Sequence, residues 1–416
     1  MDTGDTAWLL ASTALVLLMA PGLAFFYGGM VRSKSVLNIM MMVFYALAIF
    51  PIVWFLFGYT MAFGNDVGLG LVGGGEFIGL RGIAPDTLTG TVPTYVFVVF
   101  QMLFGVITVG LVAGAIADRA KFAAWMVFVP IWVLLVYAPV AHWVFAFDSA
   151  DGSVKGGWIA NQLGALDFAG GTAVEINSGF SGLALAIIVG RRVGWKREPF
   201  RPHNLPAVLL GAGLLWFGWY GFNAGSALAA NGTAGLALIN TTGSACAGIL
   251  GWLAVEFVRD RKGTSFGAAS GAIAGLVAIT PSCGVVSPMG SLVVGGLAGA
   301  VCAWAIGLKY KFDYDDSLDV VGVHGVGGIV GMLAIGFLAT EAGLFYGGGL
   351  EQLGRQAVAS AVVLVYAFVV TYMIGLAIDK TIGFRVEEDV ERSGIDQAEH
   401  LETAYEHLGG GSTLGG

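Results

Sequence analysis

The sequence predicts an all-α polytopic membrane protein of eleven transmembrane helices, and three observations carry that expectation. Of 416 residues, 56% are apolar and 12% are charged, about half the charged share of a soluble domain, and the mean hydropathy is +0.80. Apolar stretches recur from end to end, most of them reaching the roughly 20 residues needed to cross the hydrocarbon core. The basic residues alternate between connecting segments as the positive-inside rule requires.

The first span falls near residues 8–30. The stretch before it, MDTGDT, carries two acids and no base, so it lacks the basic start of a secretory signal and Trp8–Met30 is expected to be a retained helix. Spans two to five follow near 36–63, 92–117, 122–146 and 164–190. Spans six to nine follow near 204–228, 233–257, 266–285 and 289–308, and spans ten and eleven near 319–339 and 355–379. The chain holds 66 glycines, about 16% against a usual ~7%. They lie inside the apolar runs, where small residues let helix backbones approach closely. Cys246, Cys283 and Cys302 are expected within helices; their odd number and their spacing imply neither a disulfide framework nor a metal pair.

An odd span count puts the termini on opposite sides. With the N-terminus outside, 17 of the 20 lysines and arginines fall in cytoplasmic segments and only Arg81, Lys155 and Arg355 fall outside. The expected topology is therefore N-out and C-in, in the cell membrane. Residues 1–384 are expected to form the transmembrane domain and 385–416 an acidic cytoplasmic tail carrying −6 of the net −8 charge. The tail acids are expected to dock on the basic segment Arg191–Arg201. Nothing in this charge distribution suits a nucleic-acid partner.

An ionisable group within a span costs a few kcal/mol to insert, so it calls for a reason. Glu175, in VEINSG, lies inside span five, and His324, in GVHGVGG, inside span ten. Each is followed at +4 and +7 by glycine (Gly179 and Gly182; Gly328 and Gly331), on one helical face. Spans five and ten run in opposite directions, so this echo suits two inverted five-helix halves, spans 1–5 and 6–10, with an eleventh helix added. Two readings of Glu175 and His324 stand side by side: polar glue between helices, or a proton or cation pathway. Asp167 and the group Asp315, Asp316, Ser317 and Asp319 precede spans five and ten and read as helix caps. His142, among aromatic neighbours in span four, reads as a hydrogen-bonded packing histidine. No HExxH, nucleotide-binding glycine loop or nucleophile elbow occurs, and the spans hold single histidines rather than ligand sets, so no enzyme activity, metal or cofactor is expected.

At DFAGGTAVEINSGFSG and DDSLDVVGVHGVGGIVG the sequence strongly resembles the ammonium transporter (Amt/Mep/Rh) family, of the bacterial Amt type. The likeness continues through AFFYGGMVRSKSVLN, FQMLFGVITVGL, WYGFNAGSALAAN, GAIAGLVAITPSCG and RVEEDVERSGIDQAEHLETAY, nearly the whole chain in the family's order. The resemblance implies a homotrimer in which each subunit holds its own narrow apolar pore. It implies that Phe104 and Phe222 close the outer side of that pore, where packing alone would explain any two of 27 phenylalanines. It assigns the outer ammonium site to Ser226 and Phe104, with Trp219 nearby and Asp167 behind. His324 matches the second of two pore histidines. Two positions depart from the pattern: Glu175 stands where the first pore histidine is usual, as in a subset including fungal members, and Phe145 stands where tryptophan is usual at the outer site. Trp143, about 200° around the helix from Phe145, is not expected to replace that tryptophan.

The expected function is transport of ammonium, recruited at the outer site and deprotonated. Ammonia would then pass the apolar pore while the Glu175–His324 pair carries the proton. The alternatives are an ammonium sensor and a neutral-gas channel of the Rh kind. The resemblance further implies a PII-type regulatory protein as a partner at the cytoplasmic face.

Overall fold

The computed structural model describes residues 1–405; the last part of the expected tail, from Glu406 onward and including GGGSTLGG, lies outside the described residues. Among the described residues, ten helices are long and apolar enough to cross a membrane. In chain order they are α1 (Thr3–Met30), α2 (Val36–Phe63), α3 (Thr94–Ala115), α4 (Phe122–Phe145), α5 (Gly171–Val189), α6 (Leu205–Gly225) and α7 (Gly232–Asp260). After a shorter apolar helix, α8 (Ser265–Ile279), come α9 (Pro288–Phe312), α10 (Val321–Leu338) and α11 (Glu351–Thr381). The eighth expected span, 266–285, is thus a shorter helix followed by a turn, and Cys283 sits in that turn rather than in a helix. Pro281 is the physical reason: it has no N–H to continue the ladder and its ring crowds the preceding turn, so the helix ends there although Thr280 keeps helical dihedrals. Two short helices, α12 (Glu388–Ser393) and α13 (Ile395–His400), follow the last span.

The apolar faces are distributed as a bilayer solvent demands. α3 and α5 are the most enclosed long helices, whereas large apolar side chains such as Leu250, Val258 and Met373 on α7 and α11 lie open. Glycines bring the backbones together. A methyl group on Gly248 of α7 would strike Gly271 and Gly275 of α8, and one on Gly299 of α9 would strike Gly248. Van der Waals contact between backbones thereby takes the place of hydrophobic segregation, which lipid does not reward.

Four of the long helices contain a π-helical turn. Those at Trp54–Gly58 and Val133–Tyr137 each open three residues after a proline, Pro51 and Pro130. Proline removes an N–H from the ladder and crowds the preceding turn, so the register shifts by one residue. The other two, Gly171–Ile176 and Val321–Gly325, contain no proline; they contain Glu175 and His324. Outside the helices, the long connection 64–93 ends in a small antiparallel hairpin, β1 (Leu88–Thr89) with β2 (Val92–Pro93), in which Leu88 pairs with Pro93.

The tail is docked, though not as expected. Asp396 accepts from the N–H groups of Leu37 and Asn38 at 3.0 and 2.9 Å, and Glu399 from that of Phe122 at 2.9 Å, so these acids cap α2 and α4. Glu391 accepts from the backbone N–H of Val193 at 2.6 Å and pairs with Arg385. Three of the five bases of the 191–201 segment are paired elsewhere: Arg191 and Lys196 with Asp313, and Arg192 with Asp315 and Asp118. Helix ends with orphan N–H groups receive Asp396 and Glu399, and Glu391 meets the basic segment at the Val193 backbone rather than at a basic side chain.

Candidate pore and outer site

α5 and α10 cross where neither has a side chain. A methyl group on Gly179 would strike the backbone of Gly325, and one on Gly328 would press on Glu175 and the Gly171 carbonyl. This close approach, together with the π turns that re-aim the side chains, brings Glu175 Oε2 to 2.7 Å from His324 Nδ1. Both residues are buried, at 1% and 3% exposure. Glu175 Oε1 has no hydrogen-bond partner among the described residues. Of the glycines read from the sequence as one face, those at +4, Gly179 and Gly328, form the surface on which the two helices meet, whereas those at +7 pack chiefly elsewhere, Gly182 on Ala115 and Gly331 on Ala278 and Pro281.

A second feature is a stack of rings. Phe104 and Phe222 face each other at 3.9 Å between centroids and 18° between planes, each 1% exposed. Phe145 meets Phe104 edge-on at 6.3 Å and 83°. Phe104, Phe145, Ser226 and Asp167 all line an open cavity of about 760 Å3. The Ser226 hydroxyl donates to the Phe222 carbonyl at 2.7 Å, which turns its lone pairs outward as acceptors. Trp219 lies deeper, 5.9 Å from the Phe222 ring, and its indole N–H donates to Thr280 Oγ1 at 2.8 Å.

Asp167 is the cap read from the sequence. Its Oδ1 accepts from the N–H groups of Gly170 and Gly171 at 2.8 and 2.6 Å, and its Oδ2 from the N–H and hydroxyl of Thr172. The cap and the cavity wall are one residue. Of the four residues read as caps before α10, only Asp316 acts as one, accepting from the Val321 N–H at 2.7 Å. Asp315 binds Arg192, Asp319 binds Lys309 at 2.6 Å, and Ser317 accepts from Arg119 and donates to the Ala117 carbonyl. Buried arginine and lysine required partners, and that demand outweighed capping.

His142 packs as expected, its Nδ1 2.9 Å from the Ala62 carbonyl and its Nε2 3.3 Å from Asp66. Trp143 turns away from the cavity, donating to the Leu71 carbonyl and packing on Tyr366 at 4.6 Å. Two features escaped the sequence reading. His324 lines, with Tyr27 and Asp319, a small cavity of about 10 Å3 separate from the large open one. Gln101 lines the outer cavity one turn before Phe104, and the signal was its own: an amide three residues from an assigned ring lies on the same helical face. Among the described residues no group of histidines, cysteines and acids could hold a metal ion.

Ten long apolar helices crossing tightly at glycines, an open cavity walled by aromatic rings, and a buried carboxylate–imidazole contact are the features of a polytopic membrane protein of the transporter or channel class. The whole-chain comparisons give the family: the model described as Ammonium Transporter Family matches residues 7–405, and the chain belongs to that family. It is 54% identical to the ammonium transporter of Mycobacterium tuberculosis, over 99% of this chain and 92% of that one. It is 47% identical to the ammonium transporter of Bacillus subtilis, over 98% and 99%. Among solved structures, Saccharomyces cerevisiae Mep2 superposes with a TM-score of 0.84 at 34% identity, over 94% of this chain and 88% of that one. A protein titled Sensor Amt Protein superposes with a TM-score of 0.88 at 29% identity, over 95% and 98%.

Proposed function

We propose that this protein carries ammonium inward across the cell membrane and that the Glu175–His324 contact of 2.7 Å beneath the stacked rings is where its proton is handled. Ammonium and potassium share size and charge, so diameter alone cannot separate them. Ammonium, however, can give up a proton, and an apolar constriction that penalises a bare cation by several kcal/mol selects for the molecule that can become neutral. Ser226, with its lone pairs turned outward, accepts from the N–H groups of the arriving ion, and the faces of Phe104 and Phe145 attract its charge. Trp219 and the negative field of Asp167 support the site from behind.

The proton then leaves, neutral ammonia passes Phe104 and Phe222, and Glu175 Oε1 is the buried acceptor without a partner. The proton passes from Glu175 to His324 across their 2.7 Å contact, toward the cavity that His324 lines. Ammonium re-forms inside, so one net charge crosses per ammonium.

The same reading takes all eleven apolar helices as membrane crossings, N-out and C-in, in two inverted halves plus α11. Residues 1–384 are the transmembrane domain and 385–416 the cytoplasmic tail. The assembly is a homotrimer, with a PII-type protein as a partner at the cytoplasmic face. The relatives named ammonium transporters support transport over sensing. Uptake into proteoliposomes with simultaneous current recording tests the proposal. It predicts about one charge per ammonium; flux without charge would favour a neutral-gas channel, and binding without flux a sensor.

A further inference from the structure

The outer cavity is far larger than an ion with one heavy atom needs. Its volume of about 760 Å3 falls within the roughly 300–1,000 Å3 typical of sites for drug-sized ligands. On α3, Thr94, Phe97, Gln101 and Phe104 all line it, a stripe at one helical face. Phe97 therefore stands two turns outward from the Phe104 gate, about 10 Å along the axis. Around it the walls are aromatic: Phe63 meets Phe97 at 5.0 Å, Tyr59 meets Phe63 at 5.5 Å, and Phe77 meets Tyr59 at 5.9 Å. These four rings also line the cavity. The charges on its wall favour a cation, since Glu76 and Asp167 are acids whereas the lysine there, Lys155, is already bound to Asp148 at 3.0 Å.

Resting on the assignment of Ser226 to the ammonium position, we propose that this aromatic chamber binds the organic group of a primary amine. The –NH3+ head of an arylalkylammonium ion takes the place of ammonium beside Ser226, and its ring lies against Phe97, Phe63, Phe77 and Tyr59. A neutral aromatic lacks the head group, and an anion meets two acids. Such an ion cannot follow ammonia inward, because the Phe104 and Phe222 rings are in contact at 3.9 Å. It acts as a competitive blocker from the outer side.

The probe is 2-phenylethylammonium, compared with ethylammonium, which has the head group without the ring. Ammonium currents are recorded from proteoliposomes on a solid-supported membrane with each amine added to the outer face. We expect 2-phenylethylammonium to compete with ammonium at a half-inhibitory concentration at least about tenfold below that of ethylammonium. Phe77→Leu and Phe63→Leu, on different segments, each raise that concentration about 3- to 10-fold, the worth of an aromatic contact. Both variants keep the wild-type half-saturation for ammonium, which also reports that they are folded. Equal inhibition by the two amines, or inhibition indifferent to both variants, overturns the proposal. Absence of any wild-type ammonium current would instead overturn the transport reading, and calorimetric titration of the purified protein with 2-phenylethylammonium would still decide whether the chamber binds it.

Discussion

Glu175→Gln separates carrying a proton from holding a helix. The substitution keeps the volume and a hydrogen-bonding end and removes the charge. If Glu175 serves only to clamp α5 to α10, glutamine can still meet His324 Nδ1 across the 2.7 Å contact, offering its N–H or its oxygen according to the imidazole tautomer. Exchanging a charge-assisted bond for a neutral one forfeits about 1–1.5 kcal/mol. Felt in full at the barrier, that is roughly 5- to 12-fold in rate. Loss of a group that transfers the proton is larger, about 10²- to 10⁴-fold. We therefore expect the ammonium current on a solid-supported membrane to fall by more than about 100-fold in Glu175→Gln across a pH series. Glu175→His should recover part of it with an altered pH profile. A current within about tenfold of wild type, with the same pH dependence, would reduce Glu175 to helix glue.

Three further outcomes follow from the same geometry. Phe145→Trp should lower the half-saturating ammonium concentration a few-fold, since tryptophan is the stronger cation–π partner by roughly 0.5–1 kcal/mol; an unchanged value would remove Phe145 from the site. Gly179→Ala forces α5 away from Gly325 and should cost about 1–3 kcal/mol of thermal stability and most of the flux. Gly182→Ala, whose new methyl meets the Ala115 side chain at 3.0 Å, should be milder, and equal effects would argue against the crossing as the element that positions the pair. Burial pushes the Asp316 carboxyl up to about 6 against the pull of Lys309. A carboxyl that binds its proton more tightly folded than unfolded favours the fold at low pH, and that contribution fades as pH rises from about 4 to about 6. The unfolding midpoint of Asp316→Asn should show less of this fall; parallel profiles for the two proteins would refute it.

The helices were legible because each had a continuous apolar run with few competing signals, and the error at the eighth came from reading through Pro281. Glu175 and His324 stood out because an ionisable residue in an apolar run has few bland explanations, and their glycines pointed to the meeting surface. Their contact was not legible, since depth in the membrane depends on how two helices cross and on π turns that no proline announces. Polar residues near the basic end were misread for a related reason. Asp315, Ser317 and Asp319 match a capping pattern locally, but their partners Arg192, Arg119 and Lys309 come from elsewhere in the chain or across a turn. The aromatic chamber was invisible because Phe63 of α2 and Phe97 of α3 meet only when the helices pack, and Phe77 reaches Tyr59 only when the 64–93 connection folds back on α2.

The closed stack of Phe104 and Phe222 has a consequence for the cell's energy balance. With the rings in contact at 3.9 Å, no continuous file of water joins the two sides at this level. Each passage then needs a separate ring displacement, and between displacements the barrier is as apolar as the surrounding lipid. If Phe104 and Phe222 gate the proposed pore, turnover is governed by how often the rings part, and raising the outside concentration beyond filling the vestibule gains nothing. On the transport reading proposed above, such a barrier keeps sodium, potassium and free protons from short-circuiting the membrane potential that drives uptake.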